Sequence, residues 1–280
     1  MAASSSSRLP FITSALWNHG GRIFEHAGAY LTSVLVARGL GVEANGTYVA
    51  LIAVAQALLL ISSIGLEASL NKHIPQIEGP GKAEKVRYLL RRVLVVRLIA
   101  FVAIGALLAQ FALWFQGALP GAVVGYLFWV LLYAGSRSLM PLLAMVLVAQ
   151  FNTPLTSKIN GAVRLIELLA VGFMMGQGLT ITTLLGLFAA TGVLHTFLYI
   201  IFARENLFGS ATSMRIVPVL AFGSVFWINN LGDYFLGRQG DLLFLTALLP
   251  DSSAASLYDV AYSLCQIAFL SVTVGFVGVS

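Results

Sequence analysis

Two segments, LVARGLGVEANGTYVA (Leu35 to Ala50) and FLTALLPDSSAASLYDVA (Phe244 to Ala261), decide how this chain is read. In each, a long apolar run ends in small and turn-forming residues, and a tyrosine, Tyr48 or Tyr258, then opens the next apolar run. The pair predicts one helical lobe followed by the start of a second. Lobes repeated about a central site are the usual construction of membrane transporters.

Composition sets the class. The chain is 59% hydrophobic and 10% charged, with a mean hydropathy of +0.91, whereas soluble domains run at roughly 45–50% apolar and 25% charged. An all-α integral membrane protein is expected. About eight apolar runs approach the roughly 20 residues that cross some 30 Å of hydrocarbon: Ile12–Ala37, Gly46–Leu66, Val93–Phe115, Gly121–Val148, Arg164–Met175 with its flanks, Thr182–Phe202, Val217–Ala247 and Ala255–Val279. These divide into a cytoplasmic leader (1–10), a six-helix N-terminal lobe (11–205), a cytoplasmic linker (206–216) and the first two helices of a second lobe (217–280). The leader precedes an apolar run too long and too interrupted by charge for a cleaved signal peptide.

The net charge of +5 is distributed by topology. With the N-terminus in the cytoplasm, the inside segments hold Arg8, Lys72, Lys82, Lys85, Arg87, Arg91, Arg92, Lys158, Arg164, Arg204 and Arg215, eleven of the sixteen Lys and Arg. Only Arg38 falls at an outside loop, and the loops Gln116–Pro120 and Gly176–Ile181 carry no charge. This is the positive-inside pattern. The basic balance therefore reports orientation, and nucleic acid is not an expected partner. Cysteines introduced at Lys82 and Gln177 should accordingly react with an impermeant reagent from opposite sides of the membrane; labelling of both from outside would reverse the assignment. The segment Asn71–Arg92 is broken by Pro75, Gly79, Pro80 and Gly81, and its Leu89 and Leu90, with Val93 and Leu94 after them, flanked by Arg and Lys predict an amphipathic lead-in along the cytoplasmic interface. It reads as a topology-setting loop that touches anionic lipid, with contact to a phosphate-bearing substrate headgroup as the other reading. A single cysteine, Cys265, excludes an internal disulfide and a cysteine-based metal cluster.

Charges inside spans cost roughly 2.5–3.5 kcal/mol each at mid-bilayer unless paired or wetted, so Arg22, Arg97, Arg137, Arg238, Glu25, Glu167, Asp233 and Asp241 carry the functional signal. In the first span His19, Arg22, Glu25 and His26 share an arc of about 120° beside Gly20 and Gly21. Arg22 lies about 15 Å from the cytoplasmic end, near the midplane. Its alternative role is a helix-holding pair with Glu25 or Glu167. In the seventh span Asn229, Asn230 and Asp233 share one side, and GRQGD (Gly237 to Asp241) sets Arg238 and Asp241 one turn apart beside two glycines. That span reads as a long, kinked or locally broken helix lining a cavity, with an Arg238–Asp241 pair as the other reading. Arg137 sits deep in the fourth span, where it can face the cavity. Arg97 is close enough to the interface to snorkel without a partner, Arg164 and Glu167 form an intrahelical pair, and His195 is a packed or hydrogen-bonded histidine.

No HExxH, GxSxG, Walker or CxxC pattern and no metal-ligand spacing occurs. Neither an enzyme nor a cofactor or metal is expected.

ARGLGVEANGTY (Ala37 to Tyr48), GLEASLNKHIP (Gly65 to Pro75), DLLFLTALLP (Asp241 to Pro250) and LYDVAYSL (Leu257 to Leu264) together resemble the N-terminal two-thirds of polysaccharide biosynthesis flippases in the multidrug/oligosaccharidyl-lipid/polysaccharide exporter superfamily. The resemblance implies two six-helix lobes in a V, alternating access, and export of an undecaprenyl-pyrophosphate-linked oligosaccharide across the bacterial cytoplasmic (inner) membrane. It places Arg22, Arg137, His19 and His26 on pyrophosphate, Asn229, Asn230 and Asp233 on sugar hydroxyls, and a coupling proton or sodium on Glu25 or Asp233. Arg238 and Asp241 complete the candidate substrate-binding set. Such flippases carry more helices than this chain, which ends at Ser280 inside its eighth span, so most of the second lobe is expected to be missing. Two alternatives stand: a multidrug cation antiporter of the same superfamily, which would favour acidic cavity residues, and a non-transporting truncated membrane scaffold.

Overall fold

The structure, a computed structural model, describes residues 8–114, 121–150, 152–249 and 252–277, with side chains for all of these except 8–19, 21–22, 113, 121–123 and 267–277. Every regular element among them is helical. The order is α1 (Arg8–Leu40), α2 (Val42–Ser63), α3 (Leu66–Gln76), α4 (Lys82–Trp114), α5 (Gly121–Arg137), α6 (Met140–Ala149), α7 (Thr153–Met175), α8 (Ile181–Phe202), α9 (Arg204–Leu207), α10 (Val217–Phe235), α11 (Arg238–Leu248) and α12 (Ser253–Val277).

Four stretches, Val42–Ser63, Lys82–Ala112, Val124–Ala149 and Ile181–Phe202, are long and apolar enough to cross a membrane. Of the other predicted spans, the fifth is the 23-residue α7, which carries Lys158, Arg164 and Glu167. The seventh is cut short at Phe235 and diluted by Asn229, Asn230 and Asp233. The expected leader falls outside the described residues as far as residue 7, and α1 begins within it at Arg8. The chargeless loop before α5 also lies outside them. Ile99, Val102, Leu107, Phe128, Leu169 and Phe173 stand exposed on the bundle, apolar side chains that water would penalise and lipid accommodates.

Breaks in the helices follow local chemistry. The second span ends early because Ile64 and Gly65 adopt left-handed backbone, at φ 49° and 64°, and α3 restarts at Leu66. The fourth splits at Ser138–Leu139, one turn before Pro141, which cannot continue the hydrogen-bond ladder. The interfacial lead-in does not exist as a separate element. Nothing between Lys82 and Val93 interrupts a helix, so α4 runs straight through, burying Val86, Leu89, Leu90 and Val93 at helical spacing.

Arg97 does not snorkel. It is 2% exposed, its Nε donates to the Ser138 carbonyl at 3.1 Å, and its Nη2 lies 3.8 Å from Glu67 Oε1. The break after α5 is the reason, since it frees a carbonyl that a guanidinium can satisfy.

One core joins α1, α2, α5, α7 and α8 through Val36, Leu51, Leu58, Val130, Val171 and Leu184. Another joins α3, α4, α6 and α10 through Leu70, Leu89, Leu142 and Val219. The helices α10 to α12 rest on α1, α2 and α3. The two sequence-matched segments meet in this seam: Asn45 Nδ2 donates to Ser256 Oγ at 2.7 Å and Ser252 Oγ to the Glu43 carbonyl at 3.0 Å. Gly46 makes the approach possible, because a Cβ there would stand 1.8 Å from the Ser252 carbonyl oxygen. The helix α2 packs on its counterpart α12, while α1 packs on α12 and α11 on α2.

Candidate functional site

Beneath the seam lies a cavity of about 260 Å³, walled by α1, α2, α5, α7 and α8 on one side and by α11 and α12 on the other. Apolar helices supply its frame, yet its lining is dominated by polar groups: Thr32, Asn45, Tyr48, Gln56, Gln239 and three arginines, Arg137, Arg164 and Arg238.

The local sequence explains the second wall. Gly237 and Gly240 let the chain fold back between α10 and α11, since a Cβ at either would stand 2.5 or 2.1 Å from the Asp233 or Phe235 carbonyl oxygen. The restart at Arg238 then presents Arg238 and Gln239 to the cavity.

Electrostatics are organised around two carboxylates. Glu167, 2% exposed, accepts from Arg137 Nη2 at 2.5 Å, Thr191 Oγ1 at 2.9 Å and Arg164 Nη1 at 2.8 Å. Asp259 accepts from Arg238. Three cations thus face two anions. The Nε groups of Arg137 and Arg238 are buried without a hydrogen-bond partner, an arrangement costing about 1–3 kcal/mol per group. Arg137 also lies over the Tyr133 ring, 5.0 Å from its centroid, a face that suits a planar cation. The arrangement can take an oxyanion: forked guanidinium donors are held in place beside the cavity and a net positive charge is present.

The cavity gathers some of the predicted residues and leaves others apart. Arg137 and Arg238 line it. The side chains of His19 and Arg22 lie outside the described residues. Glu25 is half-buried, accepting from Asn160 Nδ2 at 3.4 Å, and is not in the lining; His26 is exposed. Asn229, Asn230 and Asp233 are exposed on α10, with Asn229 Nδ2 3.3 Å from Asp233 Oδ2. Arg238 does not pair with Asp241: its carboxylate is Asp259, one helix away, while Asp241 accepts from the Tyr258 hydroxyl. The Arg164–Glu167 pair exists but is only half of a triad, and His195 bonds Asn160 Oδ1 at 3.0 Å while stacking on Tyr199.

Sequence reasoning missed Asn45, Gln56, Arg164, Gln239 and Asp259 as site residues. Counting uncharged amides within apolar spans would have pointed to Asn45 and Gln56, because an amide without a partner is also costly in hydrocarbon, though less so than a charge. Comparison with protein-family models, with curated proteins and with solved structures gives no match for this chain.

Proposed function

We propose that this chain is a membrane exporter, a flippase that moves an undecaprenyl-pyrophosphate-linked oligosaccharide across a bacterial cytoplasmic membrane by alternating access. Eight crossings are assigned to α1, α2, α4, α5 with α6, α7, α8, α10 with α11, and α12, with the N-terminus in the cytoplasm. The observation that carries the reading is the cavity between the matched segments, lined by Arg137, Arg164 and Arg238. A diphosphate must lose water to enter an apolar bundle, and fixed guanidinium donors offset that loss while a prenyl tail stays in lipid. At about 260 Å³ the cavity falls below the roughly 300–1,000 Å³ of drug-sized sites. It therefore suits the diphosphate, and the glycan requires a more open state. Three arginines against two carboxylates disfavour the cationic-drug alternative, and a polar, charged cavity inside an apolar bundle disfavours a mere scaffold.

Binding of a prenyl diphosphate to the purified chain, followed by native mass spectrometry, tests this. Removing one charge-assisted donor set, as in Arg137→Ala or Arg238→Ala, should weaken binding about tenfold to a hundredfold, equivalent to roughly 1.5–3 kcal/mol. Unchanged affinity in the double variant would refute the site.

A further inference from the structure

We propose that the segment following α8 is an anchor for anionic lipid, setting Phe208 and the guanidinium groups of Arg92 and Arg204 in the headgroup layer of the membrane. This surface shares no residue with the cavity lining and stands whatever the cavity carries.

One stripe of α4 holds the segment. At 100° per residue Glu84, Arg87, Arg91, Val95 and Leu98 follow one another along the same side of the helix. Arg87 donates from Nε to the Glu205 carbonyl at 2.8 Å and from Nη1 to the Ser210 carbonyl at 2.9 Å. Arg91 donates from Nε to the Leu207 carbonyl at 2.6 Å and from Nη2 to the Gly209 carbonyl at 2.9 Å. Glu84 accepts from the hydroxyls of Ser210 and Thr212. Charge-assisted hydrogen bonds thereby brace the backbone over residues 205–212.

The bracing presents an aromatic ring. Arg91 takes the carbonyls on both sides of Phe208. Leu207 packs against the core, whereas Phe208 is 67% exposed on extended backbone, at φ −110° and ψ 150°. Little backbone freedom is left for Phe208 to lose when its ring meets a partner.

Two helices give the level at which it stands. The apolar stretch of α8 stops at Phe202, just ahead of the braced segment. Val93, two residues after Arg91, opens the apolar part of α4. Further along the same stripe Val95 and Leu98 are 51% and 49% exposed, so the side of α4 that carries the segment turns lipid-facing about one turn deeper. A ring at this level meets the boundary between headgroups and acyl chains rather than bulk water.

Charge selects the lipid. Arg87 and Arg91 are occupied by carbonyls, whereas Arg92 and Arg204 are exposed and form no ion pair among the described residues. Arg92 is seated over the Tyr88 ring, 5.3 Å from its centroid. Exposed Lys82 and Arg215 flank them in the sequence, against the exposed carboxylates Glu78 and Glu205. That excess of cations favours an anionic headgroup, and forked guanidinium donors suit its phosphate oxygens.

Titration of the purified chain in detergent with phosphatidylglycerol or phosphatidylcholine, followed by native mass spectrometry, tests the anchor. The wild type should retain phosphatidylglycerol more tightly. A cation beside an anionic headgroup contributes about fivefold, so Arg92→Gln with Arg204→Gln should weaken phosphatidylglycerol binding about tenfold or more and change phosphatidylcholine binding by less than about threefold. Phe208→Ser should weaken both lipids alike; unchanged binding would overturn the part assigned to the ring. Lys72→Gln with Lys158→Gln, which removes two cations from α3 and α7, should have little effect, and a loss equal to that of the Arg92 and Arg204 pair would reduce the preference to overall charge and overturn the site. Equal retention of the two lipids by the wild type would overturn the lipid anchor and leave the braced ring to a protein partner. Inorganic phosphate at matched ionic strength should not displace phosphatidylglycerol; displacement would assign the arginines to free phosphate instead.

Discussion

Glu167→Ala is expected to destabilise the folded bundle by about 3–5 kcal/mol, the usual cost of removing one member of a buried ion pair and leaving its partners uncompensated. Two guanidinium groups lose their carboxylate at once, and Thr191 loses its acceptor. The loss is read as a lowered midpoint of unfolding in detergent. A compensated core replacement, Arg137→Met with Glu167→Leu and Arg164→Leu, should recover much of it, because well-packed apolar side chains are often no worse than a buried ionic cluster. A shift of the single variant below about 1 kcal/mol would mean that the triad is solvated and that α5, α7 and α8 do not close over it.

Gly46→Val is expected to force the seam apart. The added Cβ would stand 1.8 Å from the Ser252 carbonyl oxygen, backbone against backbone, where no rotamer change relieves the clash. Overpacking of this kind costs about 1–3 kcal/mol or more. Its local consequence is the loss of the Asn45–Ser256 and Ser252–Glu43 hydrogen bonds. With Cys265 replaced by serine, a cysteine pair at Asn45 and Ser256 should cross-link readily in the otherwise native chain and fall to background when Gly46→Val is added. Undiminished cross-linking in the valine variant would mean that the matched segments do not meet as described.

What the sequence disclosed, it disclosed through patterns that a single helix carries. Apolar run length pointed to an all-helical chain, and four stretches among the described residues are long and apolar enough to cross a membrane. Glycines flanking Arg238 foretold the interruption between α10 and α11, because a close backbone turn leaves no room for a Cβ. Arg137 was legible as a candidate through its depth within an apolar span and Arg238 through its glycine-flanked place in the seventh span, and both line the cavity. Partnership is not. Arg238 lies one turn from Asp241 yet pairs with Asp259 on another helix, and Glu167 answers to Arg137 across the bundle as well as to its neighbour Arg164. No periodicity within either helix encodes those distances. Breaks outside the seventh span were hidden for a different reason: hydropathy averages over them, although Gly65 and Pro141 were present as local signals. Arg97 shows the dependence between the two failures. Its buried position makes sense only once the Ser138 carbonyl has been freed by the break between α5 and α6.

Translocation of a fluorescent undecaprenyl-pyrophosphate-linked oligosaccharide across proteoliposomes bearing this chain tests the proposed export most directly. Transfer above that of protein-free vesicles is expected for the wild type, and its loss is expected for Arg137→Ala combined with Arg238→Ala at equal incorporation. Equal transfer by the wild type and the doubly substituted chain would contradict an export route through the arginine-lined cavity.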